Sequence, residues 1–314
     1  MFQKLLRLVG VLFLVSLFTF LLTSFLPGDP AVIILGRGAS ASQVNSVRHD
    51  LFLDRPLPVR YAHWLGKVAR GDLGRSYRNN QPVSTIIRER LPITLELVVL
   101  AQLMALALAI PFALLAAYRR DTTVDKVTTG ASFGLLSIPD FVLAVVLVYF
   151  LAVRYRVFPA SGYVHLSNSV GQNLRSVILP SLALALGLAG VYQRLLRSDM
   201  INTLQEDYIL AARAEGLPPV RILLRHALRP SSFSLLTVAG ITMGSLIGGA
   251  VVVEFLFALP GIGSVLIVAI TTRDYLVVQG VVLVIAAGYV LANFAVDLLY
   301  TVLDPRLRHA RAVA

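Results

Sequence analysis

Asp207-Tyr208-Ile209-Leu210-Ala211-Ala212-Arg213-Ala214-Glu215-Gly216-Leu217-Pro218-Pro219-Val220-Arg221-Ile222-Leu223-Leu224-Arg225-His226-Ala227-Leu228-Arg229 is a polar, basic stretch set between long apolar runs. Its pattern predicts two helices meeting at a sharp corner. Glu206, Asp207 and Tyr208 open the first, and acidic residues are favourable at a helix start. Gly216 is placed to end it, and Pro218 and Pro219 enforce the stop. A second amphipathic helix, about Val220–Leu228, leads into the next apolar run. Ala211, Ala212 and Ala214 offer a small-residue surface on which another backbone can come close. A plain solvated loop needs neither two helices nor a corner, so the stretch reads as a docking element for another polypeptide.

The surroundings of that stretch define the class. The chain has 314 residues, 57% hydrophobic and 14% charged, against about 25% charged in soluble domains. It is expected to be an integral membrane protein. The net charge of +11 raises the question of nucleic acid, but most cations flank apolar runs and are better explained by membrane topology. No nucleic-acid partner is expected. There are no cysteines, which excludes disulfides, iron–sulfur clusters and thiol chemistry.

Residues 8–28 carry no charge and are long enough to cross an apolar core of about 30 Å. The run is long for a signal peptide and no small-x-small cleavage site follows it, so it reads as a retained first helix. Five further spans are expected, at about 95–118, 130–153, 177–195, 234–256 and 278–301. Residues 255–272 are apolar too, but Leu259-Pro260-Gly261-Ile262-Gly263 interrupts them, and they read as a loop or re-entrant segment. The fold class is therefore all-α and polytopic, with six transmembrane helices. The first helix covers 1–26, an outward-facing loop domain 27–93, and a five-helix core 94–305. Within the core a cytoplasmic loop occupies about 196–231, and a basic tail follows at 306–314. Fourteen cations fall on the side of the termini and fourteen on the other, ten of these in the long loop 27–93. Long loops cross largely regardless of charge, so the ratio that matters is fourteen to four, and both termini are expected to be cytoplasmic.

Inside the spans, Asp140 and Glu254 are the candidates for a polar pathway, because carboxylates are costly in lipid. For Glu254, as for Glu96, the plainer reading is an interfacial residue. Gly240, Gly244 and Gly248 lie four apart and predict a close helix-packing ridge. Pro111, Pro139 and Pro180 are expected to kink their helices. In the outer loop a short amphipathic helix is expected around Tyr61–Arg70. There Trp64 sits either in the headgroup belt or on a face that receives a soluble partner. No phosphate-binding loop, His-based metal spacing or nucleophile motif is present. Any ATP-driven work therefore needs an ATPase on another polypeptide, and no catalytic residue or bound metal is expected.

At this point the residues resemble the inner-membrane permeases of binding-protein-dependent ABC importers. The hallmark of these is E-A-A-x-x-x-G followed by I-x-L-P. Ala211, Ala212 and Gly216 match, whereas Leu210 replaces the Glu, His226 stands where Ile is usual, and Arg229 takes the place of Pro. Pro27-Gly28-Asp29-Pro30, Pro56-Leu57-Pro58 with Tyr61 and Trp64, and Gly71-Asp72-Leu73-Gly74-Arg75-Ser76 are similar to the B-type subunit of dipeptide and oligopeptide permeases. The same holds for Arg90 to Leu97, Asp207-Tyr208, Glu254, Phe257, Pro260-Gly261-Ile262-Gly263, Arg273-Asp274-Tyr275, Asn293, Asp297 and Asp304-Pro305-Arg306. Pro230-Ser231-Ser232-Phe233-Ser234 departs from it.

The resemblance implies a type I importer in a bacterial inner membrane. It implies a heterodimer with a C-type permease, two cytoplasmic ATPases that hold ATP and Mg, and an extracytoplasmic solute-binding protein. Tyr208, Ala211, Ala212, Arg213, Ala214, Glu215, Gly216 and Leu217 would form the ATPase-docking coupling helix. Trp64, Asp72, Pro260, Gly261 and Gly263 would lie towards the binding protein. Membrane lipid is the remaining partner. A nickel, glutathione or other small-solute importer is the alternative within this class. A channel or secondary transporter without an ATPase is the alternative outside it.

Overall fold

The computed structural model describes residues 2–25, 30–35, 39–50 and 52–303. Pro27-Gly28-Asp29, Asp304-Pro305-Arg306 and the basic tail fall outside these residues. The described residues form helices, with no strand beyond one isolated bridge, Arg75 to Pro82. In chain order these are α1 (Phe2–Phe25), α2 (Pro30–Leu35), α3 (Ala41–Asp50), α4 (Leu57–Ala69), α5 (Val83–Tyr118), α6 (Thr123–Ser137) and α7 (Asp140–Leu147). They continue with α8 (Val170–Thr203), α9 (Asp207–Ala214), α10 (Pro219–Arg221), α11 (Leu228–Leu256), α12 (Ile262–Thr271) and α13 (Tyr275–Leu303). Among the described residues five helical stretches are long and apolar enough to cross a bilayer, and six if the bent pair α6–α7 counts as one span. The chain is thus an all-α polytopic membrane protein.

Four expectations change. The third span is not one rod: α6 and α7 meet at 104°. Ile138 precedes a proline and is extended (φ −99°, ψ 123°), and Pro139 is extended too (φ −58°, ψ 143°), as the clash of the Pro ring with the preceding residue dictates. By contrast α5 and α8 run through Pro111 and Pro180 without a break. The second helix of the charged stretch is not separate either. From Pro219, α10, a π-helical turn at Ile222–Ala227 and α11 form one continuous helix to Leu256. The outer loop yields its last residues to α5, which begins at Val83. Finally, of the two readings of 255–272 the plain loop falls, since residues 262–271 are a ten-residue helix, about 15 Å long and half of what a crossing needs.

Two compact units divide the chain, Met1–Thr94 with Pro260–Val290 and Leu95–Leu259 with Leu291–Ala314. In the first, α4 is packed on α1. Trp64 lies 5.8 Å from Phe20 between ring centroids, and the Tyr61 and Ser16 hydroxyls are 2.8 Å apart. The Gln279 amide donates to Thr23 Oγ1 at 2.5 Å, tying α13 to α1. Gly280 is needed where it is, because a Cβ there would stand 2.6 Å from Val83 Cγ1.

In the second unit the core rests on alanines. Ala105, Ala109, Ala113 and Ala117 recur every four residues on α5 and are buried against Tyr192, Leu196 and Met200 of α8 and Leu235 and Ala239 of α11. Small side chains let the backbones approach, as membrane helices need when no hydrophobic effect separates protein from lipid. A polar knot sits inside this packing. Tyr192 Oη meets Gln102 and Thr242 Oγ1, and the Gln102 amide also donates to the Ala239 carbonyl at 3.2 Å. At one end Asp125 takes both a 2.5 Å and a 2.6 Å bond from Arg197, clamping the start of α6 to α8.

Candidate functional site

The charged stretch builds its corner as the sequence predicts. Glu206 is extended (φ −69°, ψ 147°), and α9 starts at Asp207. Gly216 stands at φ +78°, the left-handed region that favours glycine. Its amide donates to the Arg213 carbonyl at 3.0 Å, and the Leu217 amide reaches back to Ala212 at 3.2 Å. This pair of bonds is the Schellman closure. Pro218 then starts the helix that becomes α11.

At 3.6 residues per turn, α9 divides cleanly. Ile209 is fully buried and Ala212 nearly so, both in the same cluster as Tyr192, Met200 and the α5 alanines. Ala212 therefore packs on its own chain, which splits the expected three-alanine surface. Leu210, Ala211 and Ala214 face outward, and Leu210 is 51% exposed. An exposed leucine with two alanines on a short helix is an apolar patch that another surface can cover. Tyr208 and Arg213 lie on the two flanks, and Glu215 and Gly216 are exposed at the corner. Partial burial, and then the Glu206 carboxylate, push the Tyr208 phenol up. Ile209 went unremarked in the sequence. Its signal was a lone β-branched residue one turn ahead of Arg213, and it is the anchor that seats α9 on the bundle.

The other expected site residues scatter. Trp64 is a correction: it is buried against Phe20 rather than presented outward, because α4 uses its apolar face on α1. Asp72 folds its own turn, with Oδ1 accepting the Gly74 amide at 2.9 Å. Pro260 and Gly261 are held on α5: Arg90 Nη1 reaches the Pro260 carbonyl at 3.4 Å, and Thr94 Oγ1 accepts the Ile262 amide at 3.0 Å. Gly263 is buried. Asp140 stands exposed in the first turn of α7, where a helix start favours a carboxylate. A Cβ on Gly187 would lie 2.8 Å from its oxygen. Glu254 is fully buried near the end of α11. The glycine ridge is only partly a seam. Gly240 packs tightly on Val296, which leaves no room for a Cβ, and Gly244 is buried, but Gly248 is exposed. Glu96 accepts from the Tyr163 hydroxyl at 2.6 Å, and burial first, then that carboxylate, push the Tyr163 phenol up. Among the described residues no cluster of three His, Asp or Glu side chains is arranged to hold a metal.

Comparison with known proteins adds the wider setting. Residues 109–309 match the family described as "Binding-protein-dependent transport system inner membrane component". Residues 1–98 match the one described as "Binding-prot-dependent transport system membrane comp, N-term". A candidate peptide transport system permease protein of Brucella abortus (strain 2308) is 41% identical over 307 residues, covering 98% of both chains. The dipeptide transport system permease protein DppB of Escherichia coli (strain K12) is 36% identical over 339 residues, covering 99% of this chain and 100% of that one. A solved amino acid ABC transporter with histidines overlays at a TM-score of 0.48 with 18% identity, over 71% of this chain and 94% of that one.

Proposed function

The chain belongs to the family of binding-protein-dependent transport system inner membrane components, and from that premise we propose that it is the permease subunit of an ATP-driven peptide importer. Relatives named for peptide and dipeptide transport over nearly the full length support the substrate class. As a family member it is a multi-pass inner-membrane protein that works with other ABC components. In our reading those are a C-type permease that completes the pathway, two cytoplasmic ATPases that bind ATP and Mg, and an extracytoplasmic peptide-binding protein. The chain itself supplies no catalytic group, and both its termini are cytoplasmic.

The observation that carries the reading is the construction of α9. Its outward face is apolar and small, while Ile209 and Ala212 lock its inward face into the α5–α8–α11 core. A helix held this way moves only with the bundle. An ATPase surface closing on Leu210, Ala211 and Ala214 would displace α9 as a rigid lever and bias the spans between inward- and outward-open states. The ligand of such a switch needs only a different affinity for the two states. Purification of the native complex through a tag on this chain, with identification of its co-purifying chains and ligand, tests the proposal. ATPases, a second permease and peptide are expected. Nickel or glutathione would redirect the substrate assignment, and a complex without any ATPase would return a channel or secondary transporter.

A further inference from the structure

We propose that the cavity beside α9 binds the headgroup of an anionic phospholipid. The cavity, about 760 Å³, lies within the second unit between the end of α5 and the α9 corner. Arg119, Arg120 and Arg213 converge on its rim with Gln205, and Leu204 and Ile222 form part of its wall. Arg120 pairs with Asp121 at 3.3 Å. Among the described residues neither Arg119 nor Arg213 has a carboxylate in ion-pair reach. Arginines that only set topology would need no shared hollow. Here two guanidiniums with no carboxylate partner among the described residues line one concave space, and a planar fork matches a phosphodiester.

The second observation concerns the tail. On α5, Phe112, Leu115 and Tyr118 are exposed, and the spacing continues to Arg119. An exposed apolar stripe on a membrane-crossing helix thus runs up to the basic rim, with a tyrosine where the headgroup level is expected. Charge at one end and an apolar track below it fit a diacyl phosphate. They fit a free anion less well, because it would leave the stripe unused. Basic pockets between spans are where anionic headgroups bind. The site touches the flank of α9 through Arg213, away from Ala211 and Ala214. Lipid would therefore brace the corner without occupying the proposed docking face.

The test uses the assembled importer, purified in detergent, with native mass spectrometry after addition of phosphatidylglycerol or of phosphatidylcholine with the same acyl chains. Phosphatidylglycerol is expected to be retained in preference. Arg119→Gln and Arg213→Gln are each expected to weaken retention about tenfold, the size of one lost charge-assisted contact. Arg119→Lys keeps the charge but not the fork and should fall between the wild type and Arg119→Gln, and the exposed outer-loop control Arg78→Gln should not change it. Equal retention by the Gln variants overturns the site. Displacement of the lipid by inorganic phosphate alone assigns the pocket to a free anion and overturns the headgroup reading. Retention by the permease that disappears once the ATPases are bound assigns the arginines to an acidic protein surface, and overturns it as well. Should Arg119→Gln not assemble, a photoactivatable phosphatidylglycerol reads the same claim on the unaltered complex. Labelling at Leu115 supports it, and labelling elsewhere only contradicts it.

Discussion

Ser76 Oγ donates to a carboxylate oxygen of Asp274 at 2.5 Å, across 198 positions of sequence, and the Tyr77 amide donates to the other oxygen at 3.1 Å. One buried carboxylate thereby closes the turn that begins at Gly71, and the stretch ending at Val83 is folded down on the start of α13. Gly74 at φ +83° lets the chain pass close to Leu276. Asp274→Ala leaves the Ser76 hydroxyl and the Tyr77 amide without their acceptor, a loss of about 2–4 kcal/mol. The expected outcome is a lower unfolding midpoint in detergent and faster trypsin cleavage at Arg75 and Arg78, with Asp274→Asn intermediate. Wild-type protease resistance in Asp274→Ala would show that the carboxylate does not hold the turn.

Tyr163 gives a pH prediction with a definite sign. Burial and the Glu96 carboxylate raise its phenol. The folded value lies above the unfolded one, so its contribution is fully present below the ordinary phenol range, about pH 10. That contribution fades as pH rises through the raised folded value. Subtracting the ultraviolet titration of Tyr163→Phe from that of the wild type should show a phenol that ionises only above that range. A difference curve centred at about pH 10 would contradict the placement.

Two glycines should answer alanine in opposite ways. A Cβ at Gly190 would stand 2.8 Å from the Ser132 carbonyl oxygen, and backbone cannot step aside as a side-chain tip can. Gly190→Ala is expected to cost about 1–3 kcal/mol by overpacking. Gly130 on α6 has nothing within 4 Å, and Gly130→Ala should gain a few tenths to about 1 kcal/mol from the helix preference of alanine. Thermal unfolding of the two variants side by side checks both signs. A destabilised Gly130→Ala or an unaffected Gly190→Ala would mean that α6 and α8 meet differently.

Much of this was legible in the chain, for physical reasons that particular residues show. Apolar run length marks spans because lipid leaves backbone groups no partner but their own helix. Gly216 with Pro218 and Pro219 marks the corner because backbone preference is local. Tertiary choices were harder to read. The alanine ridge Ala105–Ala109–Ala113–Ala117 has the same four-residue spacing as the glycine ridge. Yet it is the alanines that seat α8 and α11, and Gly248 faces outward. Composition does not say which face of a helix meets a neighbour. Trp64 shows the same limit, since an aromatic on an amphipathic helix suits a partner or a sister helix equally well. Asp274 and Ser76, or Thr94 and Ile262, meet only once the chain is folded.

Gly216 separates folding from coupling. Its left-handed φ alone makes Gly216→Ala cost about 1 kcal/mol, although a Cβ there meets open space. Gly216→Trp adds bulk at the exposed corner. It is expected to insert into the membrane at normal abundance, abolish peptide uptake and leave ATP hydrolysis no longer responsive to loaded binding protein. Uptake at the wild-type rate would contradict the role of the corner.

The outward face of α9 is the claim on which the rest depends, and site-specific photocrosslinking from position 214 in the assembled importer tests it most directly. With a photoreactive residue in place of Ala214, the account predicts a crosslink to an ATPase subunit that changes in yield between nucleotide-free and ATP-bound states. A matched probe at Ile209, whose side chain is buried in this chain's own core, should give none. Crosslinks from 214 only to lipid or to this chain itself, in a complex that still hydrolyses ATP, would contradict it.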